Sequence, residues 1–326
     1  MPPIRHPIQT YVAGILAGNR TILSQAITVL ESHLSEDQKR AANIIDQILP
    51  YSGKSLRLGI TGSPGVGKSS FIDVFGNHAI MQGKKVAVLA IDPSSPISGG
   101  SILGDKTRMA LLSQQANAFI RPSPAGKKLG GTHTATRETI LLCEAAGFDL
   151  IIVETVGVGQ SETEVSSMTD LFLLLIQAGS GDELQGIKKG IVELADYLLV
   201  TKADNDNLIR CKRTQADFQQ SVHYQQKKSN GITPIVDICS AYTQLGIAEA
   251  FQHLYSLHQA LIQHNYLSKF RENQYLHWIK EYATQLLLAD FDFFLQKKDF
   301  SNKQSVRLNA TNLLKDFYKT QENTLL

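Results

Sequence analysis

Gly62-Ser63-Pro64-Gly65-Val66-Gly67-Lys68-Ser69 is the stretch of sequence that decides the fold of this chain. It follows the apolar segment 56–60, which is typical of a buried strand, and precedes the segment 70–74, whose spacing predicts a helix. A glycine-rich loop in that setting turns successive backbone N–H groups toward an anion at the positive end of the helix. The pattern therefore predicts a phosphate-binding loop rather than a glycine-rich turn with a solvated lysine.

We expect the whole of this loop to contact a bound nucleotide. Lys68 is expected to reach the β- and γ-phosphates, and the Ser69 hydroxyl is expected to ligate Mg²⁺. The candidate phosphate-binding residues are Gly62, Ser63, Pro64, Gly65, Val66, Gly67, Lys68, Ser69 and Ser70.

Composition and charge narrow the class of protein. Of the 326 residues, 43% are hydrophobic and 19% are charged, which is ordinary for a globular protein with a sizeable core. The net charge of +2 indicates no charge-driven affinity for nucleic acid, and no apolar run has the length of about 18 residues that spans a bilayer. Cys143, Cys211 and Cys239 lie far apart, so neither disulfides nor a zinc site are predicted. We expect a cytoplasmic protein that binds neither nucleic acid nor membrane.

Apolar runs alternate with helical stretches between residues 56 and 236, as in a parallel sheet with crossover helices. The expected fold class is α/β, a P-loop NTPase core with a doubly wound, mostly parallel sheet and helical extensions at both ends. The expected domains are a helical segment over 1–53, the nucleotide-binding domain over 54–260 and a helical arm over 261–326. The predicted strands are Leu56–Ile60, Val86–Ile91, Ala118–Ile120, Leu150–Val153, Leu171–Gln177, Tyr197–Thr201 and Ile235–Ile238.

Both ends of the chain are predicted to be helical. Ser35-Glu36-Asp37-Gln38 fits a capping box, and earlier helices are expected over 8–16 and 21–30. The last 80 residues contain neither glycine nor proline, which favours helix throughout. Within them a stripe at helical spacing either packs on its own chain or, as we favour, meets a partner or a second subunit; its residues are Leu276, Ile279, Tyr282, Ala283 and Leu286.

Three acidic residues are candidates for holding Mg²⁺. Asp92 and Glu154 each follow a predicted strand, and Asp105 lies in the glycine-rich stretch 99–108. Because the carboxyl ends of parallel strands meet beside the phosphate loop, we favour a metal network of these three acids and Ser69 over helix caps or solvated loop residues. Glu154 also opens Glu-Thr-Val-Gly, at the position where many GTPases carry a γ-phosphate-sensing DxxG, and the following residues fit a switch loop.

Thr201-Lys202-Ala203-Asp204 follows a buried strand, where GTPases carry the base-reading motif NKxD. A carboxylate at Asp204 accepts hydrogen bonds from guanine N1–H and the exocyclic amino group, a pair that adenine lacks, so GTP is favoured over ATP. Thr201 departs from the usual asparagine and supplies no amide. Ser240-Ala241, after the last predicted strand, matches a second base-contacting loop.

Together these motifs resemble the MeaB/ArgK family of P-loop GTPases, also called methylmalonyl-CoA mutase-associated GTPases. The resemblance covers nearly the whole chain and extends well beyond the phosphate loop. The stretches that carry it are Gly18-Asn19-Arg20, residues 62–69, Asp92-Pro93-Ser94-Ser95 and residues 99–109, 154–162 and 181–191.

The resemblance implies a GTPase that chaperones adenosylcobalamin-dependent methylmalonyl-CoA mutase, gating cofactor loading and protecting or reactivating the mutase. It also implies GTP or GDP with Mg²⁺ as ligands and a homodimer held through the C-terminal helices. Carried over by position, Lys68, Asp105 and Glu154 are the candidate catalytic residues, and the 182–189 loop resembles a third switch. No residue is assigned as a catalytic base, so we expect slow intrinsic turnover that a partner accelerates.

Other functions remain as alternatives. An ATP-dependent kinase of a lysine/arginine/ornithine transport system would need adenine binding, against which Asp204 argues. A nickel- or cobalt-insertion GTPase would call for clustered histidines or cysteines, whereas the nine histidines are scattered. A scaffold with a degenerate nucleotide site is disfavoured by the intact lysine, serine and acids.

Overall fold

The computed structural model describes residues 5–32, 34–92, 109–124, 131–155, 161–179, 189–223, 232–298 and 305–322. The chain divides into two compact units, residues 1–274 and residues 275–326. The first unit contains the sheet and every described residue of the candidate nucleotide site. Among the described residues, no helix combines the length and the apolarity that crossing a bilayer requires.

Seven parallel strands form the sheet, in the order β3-β2-β4-β1-β5-β6-β7. This order places β1, which leads into the phosphate loop, in the middle of the sheet between β4 and β5. The predicted α/β class and all seven predicted strands are confirmed, with β1 to β4 ending a few residues later than predicted. The bounds are β1 Leu56–Gly62, β2 Val86–Asp92, β3 Ala118–Pro124, β4 Leu150–Thr155, β5 Leu171–Gln177, β6 Tyr197–Thr201 and β7 Ile235–Ile238.

Helices cover both faces of the sheet, as the side-chain alternation of its strands requires. Along β5, Leu173 and Leu175 point into one apolar cluster, with Phe71 and Phe75 of the helix that follows the phosphate loop, while Leu174 and Ile176 point into another. A parallel sheet buried on both faces needs such near-continuous apolar strands. The helices of this region are α4 Lys68–Met81, α5 Gly131–Ala145, α6 Ser161–Ser166, α7 Lys189–Leu194, α8 Leu208–His223 and α9 Ile247–Gln263.

Three helices precede the sheet and pack on one another and on α5: α1 Ile8–Leu16, α2 Arg20–Leu30 and α3 Ser35–Ile48. The capping box predicted at Ser35 is wrong. Leu34 is the residue that precedes α3, no side chain caps the helix there, and Ser35 already lies in its first turn. The Gln38 side-chain amide instead donates to the Ser32 carbonyl, which draws the preceding turn against the helix. A true side-chain cap is found at α2, where Asn19 accepts from the N–H groups of residues 21 and 22.

The C-terminal helices are α10 Tyr266–Leu295 and α11 Val306–Glu322. The first turns of α10 belong to the unit of the sheet and are fixed there by Arg271. Its guanidinium donates to both oxygens of buried Asp170, at 2.8 and 2.7 Å, and to the carbonyls of Gly53 and Ser55, both at 2.7 Å. This arginine therefore joins the start of the helical arm to the amino ends of β1 and β5.

Candidate functional site

The predicted phosphate loop connects the last residue of β1, Gly62, with the first residue of α4, Lys68. Two of its glycines are required by the backbone. A Cβ atom on Gly62 would lie 2.6 Å from the Leu175 carbonyl oxygen, and Gly67, which precedes α4, has a φ of +101°. The strand, the loop and the helix are thus arranged as an anion-binding loop requires, with the helix N-terminus facing the loop.

Lys68 is buried within this loop. Its ammonium donates to the Gly62 carbonyl at 2.8 Å and to the Ser63 carbonyl at 3.3 Å. Burial lowers the pKa of Lys68, and the negative charges of Glu154 and Glu162 oppose that shift. The charge is therefore held at the mouth of the loop by carbonyls and carboxylates, from which it can be offered to a phosphate oxygen.

Ser69 and Glu154 bring two oxygen ligands together beside the loop. The Ser69 hydroxyl lies 3.4 Å from Glu154 Oε1, and Glu154 is buried near the end of β4. One position further along β4, the Thr155 hydroxyl donates to Thr61 of β1 at 2.8 Å, which fixes the two strand ends side by side. A hydroxyl and a carboxylate at this spacing suit Mg²⁺, which prefers hard oxygen ligands and draws the rest from phosphates and water.

For the other two predicted metal ligands, Asp92 and Asp105, the structure describes only the backbone of Asp92. Asp92 is the last residue of β2, two positions beyond the pairing of Ala90 with Glu154, so its backbone lies at the same edge of the sheet. Its side chain, and Asp105 entirely, lie outside the described residues, as do positions 158–160 of the predicted switch loop 158–162 and most of the 182–189 loop. Within the described residues no group of three or more histidine, cysteine or acidic side chains is arranged to hold a metal.

The predicted base-reading residues lie on the loops that follow β6 and β7. Buried Ser240 donates its hydroxyl to Asp204 Oδ2 at 2.7 Å, and the serine oxygen accepts from the N–H groups of residues 242 and 243. Lys202 adopts a left-handed φ of +59°, an unfavourable conformation for a residue with a side chain, and its ammonium lies 3.4 Å from Gln177 Oε1. The carboxylate of Asp204 is therefore oriented by a second, separate loop.

Thr201, at the position of the usual asparagine, contacts the phosphate loop. Its side chain is buried, and its hydroxyl donates to the Val66 carbonyl at 2.7 Å, with the Ile176 carbonyl at 3.3 Å. The base-reading loop and the phosphate loop are thus joined by one short hydrogen bond. The threonine supplies no amide, but its hydroxyl spans the gap between the two loops.

These loops enclose a pocket of about 360 Å³. The pocket brings together part of the predicted nucleotide-binding set, namely Val66, Gly67, Ser70, Thr201, Lys202, Asp204 and Ala241. Ser240 adjoins the pocket through its hydrogen bond to Asp204. Lys68, Ser69 and Glu154 are not among the lining residues, and Glu154 interacts with the other two, by charge with Lys68 and by its contact with the Ser69 hydroxyl. The predicted residues Pro64 and Gly65 lie on the phosphate loop itself, between Ser63 and Val66.

The sequence analysis missed five residues of the pocket wall, namely Phe71, Asp73, Val74, Cys239 and Tyr242. Asp73 lies three positions after Ser70 on α4, a spacing that places both on one face of the helix, and this was the available signal. Its carboxylate accepts from the backbone N–H groups of Leu111 and Leu112, at 3.3 and 2.7 Å. Tyr242 follows directly after Ser240-Ala241, and only its position beside that pair could have indicated it.

The family profile described as Methylmalonyl Co-A mutase-associated GTPase MeaB matches residues 23–293. The chain belongs to the MeaB family. The E. coli (strain K12) protein named GTPase ArgK is 43% identical over 312 residues, which cover 93% of this chain and 94% of the relative. The mouse protein named Methylmalonic aciduria type A homolog, mitochondrial, is 40% identical over 288 residues, 85% of this chain and 69% of the relative.

A solved structure agrees with the MeaB family assignment. The crystal structure of a protein named LAO/AO transport system kinase superposes with a TM-score of 0.76 at 35% identity, covering 95% of this chain and 97% of that one. The resemblance to the MeaB/ArgK family that the motifs indicated is therefore confirmed. As a member of the MeaB family, this chain is a P-loop GTPase in fold and sequence.

Proposed function

We propose that this protein binds GTP with Mg²⁺ and hydrolyses it. The observation that carries the proposal is the hydrogen bond from Ser240 to Asp204, which presents a fixed carboxylate to the pocket beside the phosphate loop. A carboxylate held this way, with one oxygen already bonded, accepts from the N1–H and amino groups of guanine and finds no matching donors on adenine. The loop 62–69 would then hold the phosphates of the same nucleotide.

Lys68, Glu154 and Asp105 are the proposed catalytic residues, and they act by charge and position. Lys68 would exchange its carbonyl partners for phosphate oxygens as a nucleotide enters the loop. Ser69, Asp92, Asp105 and Glu154 would hold Mg²⁺, which neutralises charge on the phosphates during transfer. We assign none of these groups as a base toward water, and we expect slow turnover that a partner raises by completing the charge stabilisation.

We further propose that the GTPase acts as a chaperone of adenosylcobalamin-dependent methylmalonyl-CoA mutase, gating cofactor loading and protecting or reactivating the mutase. Support comes from the family description, which names a methylmalonyl-CoA mutase-associated GTPase, and from the mouse relative named for methylmalonic aciduria. All three cysteines are free and buried, in keeping with a reducing cytoplasm.

We propose that the C-terminal unit forms a homodimer contact. In the structure the predicted stripe on α10 is about half exposed, with Leu276 at 57%, Ile279 and Tyr282 at 49% and Leu286 at 52%. Four large apolar side chains at helical spacing form a surface that a second copy would cover. A Leu276→Glu/Leu286→Glu variant is expected to elute as a monomer in light-scattering chromatography. A molar mass equal to that of the native dimer would show that the stripe does not form the dimer contact.

The test of the enzymatic proposal is hydrolysis of GTP and ATP by the purified chain, alone and with methylmalonyl-CoA mutase. Slow GTP turnover that the mutase accelerates is the expected result. ATP preference would instead favour a kinase, the alternative that the name of the structural relative, LAO/AO transport system kinase, keeps open. GTP turnover that does not change when the mutase is added would support the GTPase proposal and contradict the chaperone proposal.

A separate variant and its control test whether Asp204 selects guanine. Asp204→Asn replaces an acceptor by an amide that can donate, so it should weaken GTP binding and strengthen binding of xanthosine triphosphate, whose base carries an oxygen in place of the amino group. Asp206→Asn, an exposed neighbour two positions away, should leave both affinities unchanged. If Asp204→Asn binds GTP as tightly as the native protein, Asp204 does not read the base.

A further inference from the structure

Tyr242 is an aromatic residue whose side chain lies outside the hydrophobic core. It exposes 86% of its surface, although it lies only two positions after fully buried Ser240. A tyrosine ring is a large and largely apolar surface that chains usually pack away. Its exposure beside the candidate base site therefore suggests a ligand rather than the core as its contact.

The backbone of Tyr242 is held in place from both sides. Its N–H donates to the Ser240 hydroxyl at 3.2 Å, the same hydroxyl that donates to Asp204. On the far side, the Ser240 N–H donates to the Leu245 carbonyl, and Gly246 takes a φ of +75° against the Ile238 carbonyl, where a Cβ would not fit. The exposed ring is thus mounted on a tight loop whose geometry is fixed by the atom that orients Asp204.

Tyr242 is also one of the residues around the pocket that holds the base-reading groups. Tyr242 lines this pocket together with Lys202, Asp204 and Ala241, and Phe71 lies in the same wall. A guanine base paired with Asp204 would occupy the pocket that Tyr242 lines. An exposed aromatic side chain at such a place offers its face for stacking.

We propose that Tyr242 stacks on the nucleobase and sets the affinity of the site, while Asp204 sets its choice of base. This inference rests on the proposed binding of guanine nucleotides. Stacking is tolerant of base identity, because every base has a π-face. The two residues are therefore expected to contribute independently, even though one serine hydroxyl positions both.

The test measures the Kd of GDP by calorimetry for the full-length chain. Tyr242→Ala should raise Kd by about 5- to 100-fold, and Tyr242→Phe should remain within about twofold, because the ring and not its hydroxyl stacks. The melting temperature without nucleotide should not change, since the ring is exposed. Tyr51→Ala is the matched control: Tyr51 is 53% exposed and precedes β1, at the opposite end of the strand from the phosphate loop, and Kd should be unchanged.

Inosine diphosphate, which lacks the exocyclic amino group, separates stacking from base reading. The ratio of Kd values for inosine and guanosine diphosphate should be the same in the native protein and in Tyr242→Ala. A Tyr242→Ala variant that binds GDP as tightly as the native protein, or that loses this discrimination, would overturn the stacking role while leaving the GTPase proposal intact. If the native protein itself fails to bind GDP, the proposed function fails first, and the stacking role with it.

Discussion

The hydrogen bond from Thr201 to the phosphate loop leads to a quantitative prediction. Thr201→Val keeps the shape of the side chain and removes the hydroxyl that donates to the Val66 carbonyl at 2.7 Å. Because Thr201 and Val66 are both buried, the carbonyl loses this donor where water has little access. An unsatisfied buried acceptor costs about 1–3 kcal/mol, so we expect about 1–2 kcal/mol of lost stability. That loss corresponds to a fall in melting temperature of about 2–4 °C for a unit of this size.

Nucleotide affinity should fall as well, since the same bond fixes the backbone that faces the phosphates. If the freed loop has to be ordered again on binding, the Kd of GDP should rise by about 5- to 30-fold. Thr201→Ser retains the hydroxyl and should stay close to the native values in both assays. A Thr201→Val protein that melts within about 1 °C of the native one and binds GDP with the same Kd would refute the role of this hydrogen bond.

Three further perturbations have expected outcomes. Arg271→Ala leaves buried Asp170 without its guanidinium partner and should lower the free energy of unfolding in urea by about 3–5 kcal/mol. Gly62→Ala places a Cβ 2.6 Å from the Leu175 carbonyl and should weaken GDP binding at least tenfold, by calorimetry, as the loop shifts. Burial raises the pKa of Glu138 to about 7, so Glu138→Gln should raise the melting temperature more at pH 8 than at pH 5.

The sign of the pH effect follows from linkage. The ordinary value for Glu138 is 4.5, so below that pH the carboxyl is neutral in both the folded and the unfolded chain and the substitution gains nothing. Between pH 4.5 and about 7 the unfolded chain releases the proton first, and the native protein loses stability by an amount on the order of 3 kcal/mol. An equal gain at both pH values would contradict the raised pKa. Arg271→Lys, which keeps only the charge, should lose less stability than Arg271→Ala. Gly190→Ala, whose Cβ meets nothing within 4 Å and whose φ is not left-handed, is the control for Gly62→Ala.

Local sequence patterns predicted the fold well, because each strand and the phosphate loop can be recognised from the residues within it. Strands β1 to β7 were visible as apolar runs, since a sheet buried on both faces needs them. The phosphate loop was visible because its glycines are required, by a close backbone contact at Gly62 and by a left-handed φ at Gly67. The capping box at Ser35 failed because the partner of Gln38 lies outside the four-residue pattern. The helix starts one residue earlier than the pattern predicts, and the Gln38 amide donates to the Ser32 carbonyl.

The contacts that complete the candidate site are long-range, and no local pattern contains them. Thr201 and Val66 are 135 positions apart, Ser240 and Asp204 are 36 apart, and Asp73 reaches residues 38 and 39 positions away. Sequence reasoning treated Thr201 only as a missing amide, because the partner of a hydroxyl is not written beside it. Knowledge of the strand order was needed before that hydroxyl could be placed against the phosphate loop.

Asp73 connects helix α4 to the residues that precede β3. Helix α4 presents Lys68 and Ser69 at its start, and one turn later Asp73 accepts the N–H groups of Leu111 and Leu112. Leu111 and Leu112 are thereby fixed to the same helix that carries Lys68 and Ser69, the two residues proposed to contact the phosphates and the metal. A force that a nucleotide exerts on Lys68 or Ser69 would therefore act on the helix to which Leu111 and Leu112 are anchored.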